Sequence, residues 1–152
     1  MRARRLRSLA PSFLAAVSIA TLLGSIVQTQ FNISAIAGLG IEIRWPQRIA
    51  MTLHDLGSFT PIYGAMVAVT LLLALPVAAR CARAWPRGRP WWFLAAGACG
   101  ILVAFKIADA LLPMPTFIAA TRGPGGLLTM MASAALGSGA FGLLSRRRHA
   151  RR

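Results

Sequence analysis

The chain of 152 residues is 57% hydrophobic and 13% charged, with 17 basic against 3 acidic residues for a formal net charge of +14. A soluble domain usually carries about 25% charged residues. Here the apolar residues fall in long blocks, so too little polar surface remains to cover a water-facing core. The charge does not indicate a nucleic-acid partner either, because the arginines sit between the apolar blocks and form no stripe on a soluble face.

Uncharged runs cover residues 8–41, 56–79, 90–105 and 123–145. A helix needs about 20 mainly apolar residues to cross ~30 Å of hydrocarbon. The pattern predicts an all-α integral membrane protein with a single domain over residues 1–152. Its four transmembrane helices, at about 9–27, 58–79, 91–112 and 126–145, form an up-down bundle.

The first span has Pro11 in its first turn, where a missing N–H costs nothing. Its arginine-rich start resembles a secretory signal, with Ala35-Ile36-Ala37 as a small-residue cleavage site. Signal cores run only about 7–15 residues, however, and Ala37 lies well past the end of this run, so the first helix is expected to stay uncleaved.

An outer loop follows over 28–57. Ile33, Ile36, Leu39, Ile41 and Ile43 hold it close to the membrane. Residues 46–56 read as a short helix, with Pro46 in the first turn and Gly57 as the stop. Ile49, Leu53 and Leu56 share one face of it and Arg48, Thr52 and Asp55 another, an arrangement suited to the membrane interface. An irregular loop packed on the bundle is the alternative.

The second span has Thr60 as N-cap, Pro61 in the first turn and Pro76 as a bend near its end. Trp85, Trp91 and Trp92 form an aromatic belt at the connection to the third span, while Trp45 and Tyr63 anchor the other side. Arg122-Gly123-Pro124-Gly125-Gly126 leads into the fourth span. Its glycines beside a helix N-terminus have the makings of an anion cradle, but no P-loop ending is present, and a tight turn with an interfacial arginine is the favoured reading.

Orientation follows from the basic residues. Arg2, Arg4, Arg5 and Arg7, then Arg80, Arg83, Arg87 and Arg89, then Arg146, Arg147, Arg148, Arg151 and Arg152 make 13 of the 17 on one side. The other side holds Arg44, Arg48 and Arg122. Both termini are therefore expected in the cytoplasm, with the basic ends touching anionic lipid. Sixteen arginines against one lysine, with abundant alanine, point to a GC-rich bacterial genome and so to the bacterial inner membrane.

Small residues recur every four positions: Ala16, Ala20 and Gly24; Gly64 and Ala68; Ala96, Gly100 and Ala104; Ala134, Ser138 and Gly142. In lipid such stripes let helix backbones approach closely, which favours a compact bundle.

Chemistry is sparse. Lys106 and Asp109 are the only charges inside a predicted span, and intramembrane ionisable groups are functional candidates. Three residues apart, they share a helix face, and the N-terminal lean of helical side chains directs Lys106 inward. A structural ion pair facing the bundle interior is expected; a functional polar site is the sharper alternative, and snorkelling of Lys106 to the outer interface the third. Glu42, His54, Asp55 and Arg122 form a candidate outer-side polar cluster. Adjacent His54 and Asp55 diverge by about 100° on a helix, and no H-E-x-x-H spacing occurs, so no metal is expected. No histidine lies in a span, which leaves out a bundle haem. Cys81 and Cys99 form no C-x-x-C pair, and no G-x-S-x-G motif is present. No cofactor is expected.

Two four-helix classes lack their signatures: the first helix has no acidic residue, as a small multidrug exporter requires, and no C-x-x-C serves a quinone-linked disulfide enzyme. The sequence points to a non-enzymatic accessory, assembly or scaffold protein of a bacterial inner membrane, with a membrane-protein partner or a second copy. Alternatives are a small transporter or channel using Lys106 and Asp109, or a lipid-handling membrane enzyme using Asp109 or His54 with Arg122.

Overall fold

The computed structural model describes residues 2–111 and 118–150; the side chains at 2–8, 119 and 147–150 fall outside this description. Five helices follow one another: α1 (Arg2–Ala37), α2 (Trp45–Ser58), α3 (Thr60–Ala84), α4 (Arg89–Leu111) and α5 (Pro124–Ala150). Short 3-10 turns at Pro86–Gly88 and Ala119–Arg122 precede α4 and α5, and no strand occurs among the described residues. Four segments are long and apolar enough to cross a membrane: Leu9–Ala37, Thr60–Ala84, Pro86–Leu111 and Pro124–Arg146. At most 39% of each apolar window is buried by protein, so most of that surface is left for acyl chains to cover.

The helix boundaries depart from the sequence reading in instructive ways. α1 does not stop near residue 27 but runs to Ala37, so the first part of the expected outer loop is helix. Gln28 and Thr29 are buried there and hydrogen-bonded to other elements; these residues look like a loop in sequence but are the polar inner face of a helix. Pro11 lies inside α1 and not in its first turn, because the helix begins at Arg2. Leu112, the expected end of the third span, lies outside the described residues.

α2 covers the short helix expected at 46–56 and extends past it to Ser58. Pro46 sits in its first turn, and the Gln47 side chain accepts the Arg44 backbone N–H at 2.9 Å, which satisfies one otherwise orphaned donor. Gly57 does not end it. Phe59 alone separates α2 from α3 and keeps helical angles, with its N–H bonded to the Asp55 carbonyl. Thr60 consequently makes no N-cap bond; its hydroxyl turns to Ser25 on α1 instead.

The packing centres on α5, which contacts α1 and α4 most extensively; α3 packs on α4, and the α1–α3 seam is much slighter. Two glycines make the close approaches possible. A Cβ on Gly137 would collide with the Ala16 carbonyl and Ala20, and one on Gly97 would collide with the Ala134 carbonyl. Ala16, Ala20 and Ala134 are all fully or almost fully buried. Backbone-to-backbone contact of this kind replaces the hydrophobic drive that lipid cannot supply. Larger side chains fill the remainder: Phe93 meets Phe141 at 5.9 Å between ring centroids, and Phe59 stacks on Tyr63 at 5.3 Å.

Candidate functional site

The residues singled out in the sequence do not gather into one site. Lys106 is exposed on α4 and does not face the interior, while Asp109 is half-buried nearer the helix end. No ion pair joins them among the described residues. Glu42 is exposed in the extended link before α2, and His54 is exposed on α2 itself. Arg122 closes the 3-10 turn before α5 and is also exposed. Among the described residues no three His, Cys, Asp or Glu side chains gather as a metal site would require.

Asp55 is the exception in that set, because it turns inward. Its Oδ2 accepts a hydrogen bond of 2.8 Å from the Thr29 hydroxyl on α1. The same hydroxyl lies 3.0 Å from the Ser25 carbonyl, but it carries one hydrogen, and a carboxylate is the stronger acceptor. Ser25 and Thr60 exchange a 2.8 Å hydrogen bond, so Ser25, Thr29, Asp55 and Thr60 tie three helices together. Gln30 extends the seam by donating to Thr52 at 3.3 Å. A small hollow of about 260 Å³ lies beside this knot, bordered by Asn32, Met51 and His54. Nearby, the Gln28 side-chain oxygen accepts the Ala120 backbone N–H at 2.8 Å, which holds the turn before α5 against α1.

The larger opening lies at the other end of the helices, and no residue of it stood out in sequence as a site. A crevice of about 710 Å³ is bounded by the start of α1, the C-terminal half of α3, the start of α4 and the end of α5. Leu72, Leu75 and Phe13 give it apolar walls, and Arg83, Arg89 and Arg146 stand around it. Arg89 lies over the Phe93 ring at 4.9 Å and donates to Ser145 at 3.3 Å. Arg83 donates its Nε–H to the Ala79 carbonyl of its own helix. The sequence signal was present in the arginines flanking the spans, but flanking arginines serve topology by default. Only the convergence of four chain segments makes them neighbours.

These features define a helical, multi-pass membrane protein whose polar groups knit one end and whose other end opens into an apolar, arginine-flanked crevice. Comparison of the chain with protein-family models, with curated proteins and with solved structures finds no match.

Proposed function

We propose that the protein is a non-enzymatic accessory, assembly or scaffold component of a bacterial inner membrane, arranged up-down with both termini in the cytoplasm. The observation that carries this reading is a set of three polar contacts between elements. Thr29–Asp55, Ser25–Thr60 and Gln28–Ala120 spend their hydrogen bonds on joining elements to one another. A reactive centre needs groups held in reserve for a substrate; these are committed to architecture. The positive-inside count supports the orientation, and the arginine-rich composition supports the bacterial source.

The knot also fixes α2 as a firm outer ridge. Trp45, Ile49 and Leu53 recur every four residues and are at least 59% exposed, while Thr52 and Asp55 face α1. A rigid amphipathic ridge lying at the membrane interface suits a protein that presents a surface to a neighbour.

The test is gentle detergent extraction of the tagged protein at native expression, followed by mass spectrometry of what co-purifies. A membrane protein recovered in stoichiometric amount supports the accessory role. Recovery of the chain alone overturns it.

A further inference from the structure

The crevice at the arginine end matches one class of ligand in charge, length and lining. No acidic side chain offsets its charge: the chain has three, and Glu42, Asp55 and Asp109 lie in the link before α2, on α2 and near the end of α4, none of them among the crevice residues. Arg83, Arg89 and Arg146 border the crevice together, and like charges in one opening repel. An anion between them would convert that repulsion into paired, charge-assisted hydrogen bonds, for which the flat guanidinium is well shaped.

The length decides what kind of anion. Leu71, Leu75, Ala79 and Arg83 line the crevice at successive turns of α3, a run of about 18 Å at 1.5 Å per residue. One leaflet of hydrocarbon is about 15 Å deep. An apolar slot of one leaflet's depth with its cations at one end has the proportions of an acyl chain beneath its head group. A free phosphate would satisfy the arginines and leave the apolar walls uncovered. The crevice also has a side entrance: Leu72 on its wall is 61% exposed, and the neighbouring α1–α3 seam is slight. Its volume of about 710 Å³ falls within the ~300–1,000 Å³ of established ligand pockets.

We propose that this crevice holds one anionic phospholipid, its phosphate among Arg83, Arg89 and Arg146 and an acyl chain along Phe13, Leu72 and Leu75. The assignment goes beyond the accessory role and does not depend on it, since a lipid-binding protein with no partner would bind in the same way. It also goes beyond the general attraction of basic loops to anionic lipid, because it specifies one molecule held at one place.

Native mass spectrometry of the full chain released from nonionic detergent provides the test. The probes are phosphatidylglycerol and phosphatidylcholine with identical acyl chains, and glycerol 3-phosphate as the head group without a tail. One phosphatidylglycerol per chain is expected, with about tenfold preference over phosphatidylcholine, while glycerol 3-phosphate neither binds nor competes. Arg83→Gln with Arg146→Gln should remove about tenfold of the phosphatidylglycerol affinity. Ala79→Phe, which fills the slot and leaves the arginines in place, should reduce retention of the lipid by a similar factor, so the proposal remains testable if the arginine variant fails to fold. Arg122→Gln at the opposite end should change nothing. Equal retention of the two lipids, an equal loss with Arg122→Gln, or competition by glycerol 3-phosphate would each overturn the assignment.

Discussion

Thr29 on α1 and Asp55 on α2 are joined across 26 positions of sequence by a 2.8 Å hydrogen bond from hydroxyl to carboxylate. The bond fixes the roll of α2, because a helix held by Asp55 turns Ile49 and Leu53, about 120° and 160° away around its axis, outward. Replacing Asp55 with Ala, or Thr29 with Val, is expected to cost about 1–2 kcal/mol in detergent unfolding. The double variant should cost less than the sum of the two, with the missing part reporting the bond itself. Amide hydrogen exchange should accelerate across α2 in all three variants and change little in α4.

The glycine contacts predict an opposite pair of outcomes. Gly97→Val drives a side chain into the Ala134 backbone and should destabilise by about 2–3 kcal/mol through overpacking. Gly57 lies inside α2 with open space around its missing Cβ. Gly57→Ala should therefore stabilise by about 0.5–1 kcal/mol, because alanine lowers the entropy of the unfolded chain. Thermal unfolding of the two variants under the same detergent conditions checks both signs.

Lys106 separates an exterior charge from a hidden ion pair. Because it is exposed on α4, Lys106→Met should leave Tm unchanged or raise it, and Asp109→Asn should have no significant effect on Tm. A large drop on Asp109→Asn would mean that a lysine had been stranded without its partner, contrary to the exposed placement.

The proposed orientation yields a labelling experiment. With Cys81 and Cys99 replaced by alanine, a single cysteine at His54 should react with a membrane-impermeant maleimide in intact cells. A single cysteine at Arg87 should react only after permeabilisation. The reverse pattern would invert the topology.

The spans were readable because each is an uninterrupted apolar run, and that signal survives any detail of packing. The extension of α1 was not readable, since Gln28, Thr29, Gln30 and Asn32 have loop-like composition and become helical through partners on α2 and the turn before α5. Small-residue stripes announced close packing and held one side of its main contacts, Ala16 and Ala20 on α1 and Ala134 on α5, but not the glycines opposite them. Gly97 and Gly137 fall one position away from marked residues, and in an alanine-rich chain a four-residue spacing arises readily by chance. Asp55 belonged to the expected outer cluster, yet its partner Thr29 carried no mark of its own. The crevice was the least legible feature, because no local pattern records that residues 9–13, 71–83, 89–93 and 141–146 meet.

The seam between α1 and α5 bears on how the chain is made. Of the four spans α1 is made first, yet the helix that covers Ala16 and Ala20 is made last. Until Gly137 arrives, the contact surface of α1 at Ala16 and Ala20 awaits its partner, with lipid, the insertion machinery or another nascent chain in the place of α5. Assembly must then close a ring between the earliest and latest spans, while α3 and α4 can pair as a hairpin beforehand. Chains halted before α5 should therefore enter the bilayer but fail quality control, and they should be recovered if α5 is supplied as a separate polypeptide.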